Sequence, residues 1–282
     1  MSRNSVTIIE ARPKSFIARL LALWHYRSFY GFLFREITMK KFRDTLLGFW
    51  WLAIRPLVPA IIFITLFTAH PVETHSAIPY PIFFMSSYLT WNLFNSTLIF
   101  MPRTLLWMQG IMSRTYFPRL LVPFAGFGPP LIEFVVLFVV FILLVGFYTL
   151  IGSFPLHMGW QMLWIFPCLI LSLTLGIALG MVISVIAIFF KDVVFSISYF
   201  AQMFMFLTPV IYPISFIPKS YQWLLYTLNP MATLVEVSRW SLLNNGEFGG
   251  RYFFLAALTI LLVFVASVTF FMRAETYLAD QM

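Results

Sequence analysis

Charge is scarce in this chain. Only 10% of its 282 residues are Asp, Glu, Lys or Arg, against roughly 25% in an ordinary soluble domain. With 61% of residues hydrophobic, a soluble core could not hide the apolar surface, so lipid must solvate part of it. Cysteine is scarcer still. Cys168 stands alone in an apolar run, which excludes an intrachain disulfide and a cysteine metal site. The four histidines (His25, His70, His75, His157) are scattered and show no metal-ligand spacing, so no metal is expected. No G-x-x-x-x-G-K-[ST] loop is present, so the chain cannot cradle ATP phosphates in that way. No carboxylate pair stands out as a catalytic dyad, and catalysis by this chain alone is not expected. Repeats of solenoid period and low-complexity tracts are also missing.

What charge there is has a pattern. The first 46 residues carry nine Lys/Arg (Arg3, Arg12, Lys14, Arg19, Arg27, Arg35, Lys40, Lys41, Arg43) and no apolar stretch long enough to span. A signal peptide is therefore not expected. Phe16, Leu20, Leu23 and Trp24 fall on one helical face beside Arg19 and Arg27, which predicts an amphipathic helix in the cytoplasmic interface. From Phe29 to Asp44 charges fall on most sides. An interfacial segment without a well-defined face is expected there.

A spanning helix needs about 20 mostly apolar residues, and six stretches qualify. They lie at about 47–69, 80–101, 120–151, 161–190, 193–212 and 252–272. The fold class expected is an all-α membrane protein of six spans, with 1–46 and 273–282 as cytoplasmic ends. Orientation follows the Lys/Arg bias. With the N-terminus inside, fourteen Lys/Arg lie on cytoplasmic segments, and only Lys219, Arg239 and Arg251 lie outside. Arg55 falls within a span. A net charge of +8 thus reports topology and anionic headgroups, not nucleic acid.

Between the fifth and sixth spans the chain reads TPVIYPISFIP, then two apolar pieces divided by Asn229-Pro230. Neither piece is long enough to span, and the prolines mark breaks. Two short helices over 214–243 that dip into the outer leaflet and return are expected. Backbone of that kind must be buried in protein or line a wet cavity. An ordinary extracellular loop carrying a surface helix is the alternative.

Few residues stand out chemically. Gly176 and Gly180 form a G-x-x-x-G in the fourth span, a spacing that lets helices approach closely. Packing within the chain is preferred over a subunit contact. Glu133 lies mid-span after Pro129-Pro130, where an unpaired carboxylate costs a few kcal/mol, about 2.5–3.5. Pairing with a group of another span and a pore-lining role both explain it. Arg55 can snorkel to headgroups, and Glu236 and Arg239, at i and i+3, suit a local ion pair. Aromatics make up 20% of the chain. Many, such as Trp50, Trp51, Trp91, Trp107, Trp160 and Trp164, suit an interfacial belt. Phe195, Tyr199 and Phe206 share one side of the fifth span. Lipid contact or packing is the ordinary use of such rings, and stacking on sugar rings is the sharper one.

Arg43–Pro56 (RDTLLGFWWLAIRP), Met112–Pro123 (MSRTYFPRLLVP), Lys191-Asp192, Thr208–Pro218 (TPVIYPISFIP) and Leu228–Leu243 (LNPMATLVEVSRWSLL) together resemble the ABC-2 family of transporter permeases. The resemblance runs from about residue 30 to the end and favours the branch exporting O-antigen, capsule or teichoic-acid polysaccharides. It implies an inner-membrane half-transporter that forms a homodimer and pairs with two copies of a separate ABC ATPase. ATP and Mg would then be bound by the ATPase, with no cofactor in this chain. The resemblance further implies a path lined by the first and fifth spans, here Trp50, Trp51, Phe195, Tyr199 and Phe206. Cytoplasmic loops would meet the ATPase through Arg103, Arg114, Arg119, Lys191 and Asp192. A carrier pyrophosphate would favour Arg35, Lys40, Lys41 or Arg43, although topology explains those cations equally well. The outer helices over 214–243 would close the path.

Two other readings are weighed. One is an ABC-2 exporter of another lipid or small molecule. The second is a membrane enzyme acting on polyprenyl-linked sugars, which would need clustered catalytic residues where this chain offers isolated Glu133, Glu236 and Arg239.

Overall fold

In lipid, each backbone donor and acceptor must be satisfied within its own segment. The long apolar runs of this chain accordingly form helices. The computed structural model describes residues 26–43, 50–69, 78–112, 117–154, 159–244 and 249–281, and for 41–43, 52, 53, 69 and 275–281 the backbone alone. Every regular element among the described residues is helical: α1 (Arg27–Arg43), α2 (Trp51–Ala69), α3 (Tyr80–Met112), α4 (Leu121–Ala125), α5 (Gly128–Leu150), α6 (Ile165–Phe189), α7 (Val193–Leu207), α8 (Lys219–Leu228), α9 (Pro230–Leu243) and α10 (Gly250–Gln281). A 3₁₀ turn, Trp160–Trp164, leads into α6. The amphipathic stretch Phe16 to Trp24 lies outside the described residues.

Among the described residues, three stretches are long and apolar enough to cross a membrane: Leu121–Leu150, Trp160–Phe189 and Gly250–Ala274. Ile54–Thr68 and Val193–Leu207 are shorter apolar helices. The longest helix, α3, differs from all of these. Of its 33 residues 24 are buried, so it needs no lipid-facing stripe and can carry Ser86, Ser87, Thr90, Asn92 and Thr97 inside protein. The helices α2, α5, α6 and α7 pack against it, whereas α10 packs against α6 and α9.

Three boundaries depart from expectation, each for a local reason. The stretch 120–151 is two helices, because Pro129 and Pro130 lack the N–H that would continue α4 and instead start α5. The fifth span stops at Leu207 rather than 212. Thr208, held extended at φ −106° and ψ 134°, is the residue before Pro209. The second span runs through Pro102 to Met112, eleven residues beyond its expected end. Between α7 and α10, Pro218 and Asn229-Pro230 do delimit two short helices. Asn229 caps α9 by accepting from the Ala232 amide at 3.3 Å.

Two hydrophobic clusters hold the bundle. One gathers Phe84, Trp91, Phe141, Met231, Leu234 and Ile260. The other gathers Leu33, Ile37, Met101, Leu121, Met181 and Phe271. The second cluster corrects the expectation that α1 has no clean face. Leu33 and Ile37, one turn apart, are fully buried, and the Tyr30 hydroxyl donates to the Phe124 carbonyl at 2.9 Å. Arg27, Arg35 and Lys40 are exposed, and Glu36 is half-buried. Gly128 permits this docking, since a Cβ there would meet Thr38 Oγ1 at 2.4 Å and Phe34 Cε2 at 2.9 Å.

Gly176 and Gly180 turn toward α3. A Cβ on Gly176 would lie 2.8 Å from Thr97 Cβ, and one on Gly180 would lie 2.7 Å from Met101 Cβ. The G-x-x-x-G is therefore a contact within the chain.

Candidate functional site

On α3, Tyr88, Asn92, Asn95, Ser96, Ile99 and Arg103 recur at three- and four-residue intervals and so share one helical face. That face borders a cavity of about 270 Å³. Across it stand Arg55, Pro56 and Pro59 of α2, Glu133 of α5, and Ser198 and Gln202 of α7. Four helices thus bring two guanidiniums, one carboxylate and several neutral polar groups together in an otherwise apolar bundle. Arg55 and Gln202 are exposed, which leaves the cavity open toward α2 and α7.

Its deep side is tightly bonded. Glu133, 4% exposed, accepts a hydrogen bond from Ser96 Oγ at 2.6 Å. A charge-assisted bond of this kind offsets part of the cost of placing a carboxylate at such depth. The pairing reading of Glu133 and the cavity-lining reading thus apply together. Ser96 and Asn92 stand 3.5 Å apart, as do Asn92 and the Tyr88 hydroxyl, at the outer limit of hydrogen bonding. Asn95 Oδ1 is buried and has no hydrogen-bond partner. Toward the open side, Arg103 Nη2 reaches Ser198 Oγ of α7 at 3.5 Å. The Arg55 guanidinium lies 5.8 Å from the centroid of the Trp51 ring.

Beside the cavity is an aromatic wall. Among its residues α7 buries only Val194, Ala201 and Met205. Phe195 (70%), Tyr199 (69%) and Phe206 (57%) are strongly exposed, as is Trp50 (72%), while Trp51 is half-buried. Phe206 meets Phe63 of α2 edge to face at 6.2 Å. The exposed side of α2 carries Val58, Ile61, Ile62 and Leu66.

The residues expected to meet a partner ATPase divide. Arg103 is not in a loop: it lies within α3, half-buried, and lines the cavity. The physical reason is that Pro102 does not stop α3, since its ring is accommodated within the continuing helix. Arg119 is in the turn before α4, and Lys191 and Asp192 occupy the exposed turn between α6 and α7. Arg114 lies outside the described residues. On α1, Arg35 is exposed and Lys40 Nζ donates to the Trp107 carbonyl at 3.3 Å. The side chains of Lys41 and Arg43 lie outside the described residues.

Sequence reasoning missed Asn92, Asn95, Ser96, Ser198 and Gln202, and it read Arg55 as a snorkelling cation. The available signal was the polar periodicity along α3, in a segment that is long but comparatively poor in hydropathy.

A second polar cluster ties α9 and the segment before α8 to α3. Arg239, 3% exposed, pairs with Glu236. Its Nη2 donates to the carbonyls of Pro209 at 2.7 Å and Val210 at 3.4 Å, and its guanidinium covers the Phe83 ring at 4.0 Å. Asn229 Nδ2 donates to Thr208 Oγ1 at 2.9 Å, and the Tyr80 hydroxyl to the Ile211 carbonyl at 2.9 Å. Thr90 donates to Ser238 at 2.8 Å, and Ser238 to the Ser86 carbonyl at 3.0 Å. The 208–211 segment and α9 are therefore held to α3, while the body of α7 is barely packed.

No curated protein compared with the chain matches it. The family model for ABC-2 type transporters matches residues 28–243, a stretch that includes α2, α3, α5 and α7 and therefore every wall of the cavity. By that match over most of its length, the chain belongs to the ABC-2 type transporter family.

Proposed function

We propose that this chain is the permease subunit of an ATP-driven exporter that moves a lipid-linked polysaccharide of O-antigen type across the cytoplasmic membrane. In this reading α2, α3, α4–α5, α6, α7 and α10 make six crossings, with both ends in the cytoplasm. The α8–α9 hairpin re-enters the outer leaflet, and the burial of α9 against α3 suits a channel lid. Two copies of the chain form the channel, with α2 and α7 contributing its walls. Two copies of a separate ABC ATPase bind ATP and Mg and act through the cytoplasmic segments that carry Arg114, Arg119, Lys191 and Asp192.

The carrying observation is the polar cavity that opens beside an exposed aromatic wall in a chain of this family. A polysaccharide cannot cross about 30 Å of hydrocarbon unaided, because its hydroxyls would lose water without replacement. Ring faces such as Phe195, Tyr199 and Phe206 offer contacts to sugar C–H groups that do not fix one position, so a polar chain can slide. The Arg, Asn and Ser groups behind them supply hydrogen bonds. ATP binding and hydrolysis on the partner would bias two arrangements of the spans.

Deleting the gene and locating the polysaccharide tests the reading. Loss of surface glycan with a growing cytoplasmic pool supports export. Loss of synthesis altogether would overturn it in favour of an enzyme on polyprenyl-linked sugars. Docking of a carrier pyrophosphate on α1 is tested separately by neutralising Arg35, Lys40, Lys41 and Arg43 together. Unchanged export would remove that part.

A further inference from the structure

We infer that the cavity between α2, α3, α5 and α7 is a phosphate-binding site, in which Arg55 and Arg103 hold the phosphate and the α3 amides receive attached hydroxyl groups. This deepens the transport reading, because it rests on the cavity lying along the route of the cargo.

The charge count is the first argument. Two guanidiniums and one carboxylate line the cavity, so one positive charge stays unbalanced however Glu133 is paired. The surplus positive charge attracts an anion, and one seated between the two guanidiniums removes the imbalance. A guanidinium is also the side chain whose planar fork fits phosphate oxygens.

Depth is the second argument. Arg103 lies 23 residues after Tyr80 along one continuous helix, about 35 Å along the axis. With Tyr80 near the outer surface, that reaches the inner headgroup level of a bilayer whose core is about 30 Å thick. Arg55 sits in the second turn of α2, at the same end. Asn92 lies 11 residues before Arg103, about 16 Å deeper. Cations at the rim and neutral hydrogen-bonding groups within match a ligand whose phosphate stays at headgroup depth while its hydroxyls enter.

The third argument is an unmet acceptor. Asn95 Oδ1, buried at the cavity wall, has no partner. Buried polar atoms are normally bonded, and a ligand hydroxyl supplies the missing donor. Occupancy also bears on motion, because Arg103 is one of the polar links to the loosely packed α7 through Ser198. A phosphate that draws Arg103 into the cavity loosens that link.

The test uses the full chain in nanodiscs of phosphatidylcholine, with geranylgeranyl diphosphate as the probe and no ATP or glycan present. Wild type is expected to bind the probe, and the double variant Arg55→Gln/Arg103→Gln to bind at least tenfold more weakly. Arg103→Lys, which keeps the charge but loses the fork, is expected to bind between wild type and the double variant, and Lys219→Gln, on the exposed start of α8, is unchanged. Asn95→Asp keeps the shape but adds negative charge. It weakens binding too, and it decides the matter if the double variant does not fold. Competition identifies the source. Equal displacement by phosphatidylglycerol in the disc assigns the site to a phospholipid headgroup, and equal displacement by inorganic pyrophosphate assigns it to a free anion. Displacement by neither assigns it to a lipid-linked diphosphate. Undiminished binding in folded variants, or no binding of any of the three phosphates by wild type, overturns the inference. The site can stand even where gene deletion shows that the cargo is not a polysaccharide.

Discussion

Replacing Gly176 by Ala probes the contact on which the bundle turns. The added Cβ would stand 2.8 Å from Thr97 Cβ and 3.0 Å from the Phe94 carbonyl oxygen. Comfortable separation between such atoms is about 3.5–4.0 Å, so α6 must retreat from α3 by about 1 Å. Neither neighbour can yield alone, because one is backbone and the other is a branch point on a buried helix. Overpacking of this degree costs about 1–3 kcal/mol. In a membrane the loss is not cushioned, since close van der Waals packing is itself what holds spanning helices together. Gly180→Ala, 2.7 Å from Met101 Cβ, should cost a similar amount. One displacement of α6 relieves both clashes, so the double variant is expected to lose less than the sum. Unfolding of the purified chain in mixed micelles of rising dodecyl sulfate content, followed by helicity, measures these costs. Gly146→Ala in α5, where nothing lies within 4 Å of the new Cβ, is the control. It is expected to gain up to about 1 kcal/mol from helix propensity alone. If Gly176→Ala and Gly146→Ala shift the midpoint alike, the close approach of α3 and α6 is refuted.

Three further outcomes are expected. Arg239→Met leaves Glu236 without its cation and the Pro209 and Val210 carbonyls without their donor, costing about 3–5 kcal/mol in the same titration. Glu236→Gln in that background should recover part of the loss. Gly128→Leu, whose Cβ collides with Thr38 and Phe34, should lift α1 from α5. Limited trypsin digestion should then cut at Arg27 or Arg35 faster, with the α10 fragment unchanged. Cys168 is fully buried, so a maleimide should label the native chain slowly, by less than a tenth of the rate after dodecyl sulfate denaturation. Equal rates would contradict the packing of α6.

The helical class, the breaks at Pro209, Pro218 and Asn229-Pro230, and the close-packing use of Gly176 and Gly180 were all legible in the sequence. Hydropathy, missing proline donors and the absence of a Cβ are properties of single positions or short runs, and they act without reference to distant chain. Pro129 and Pro130 begin a new helix where one was expected to continue, and the second span, expected to end before Arg103, continues unbroken through Pro102. Whether a proline starts, kinks or passes through a helix depends on what can satisfy or shield the carbonyls before it. For the same reason Arg103, assigned from sequence to a loop, proved to line a cavity.

The cavity itself belongs to the tertiary structure. Arg55, Asn95, Glu133 and Ser198 come from four helices, and nothing local marks them as neighbours. An apolar helix in a bundle can be turned toward lipid or protein at little cost, because lipid tails and aliphatic side chains solvate its residues alike. Sequence alone determined that this chain must be a bundle of apolar helices. How each helix is rotated about its axis was decided only by packing against its neighbours, and that rotation is what brings two arginines, a carboxylate and an unpaired amide to one polar space.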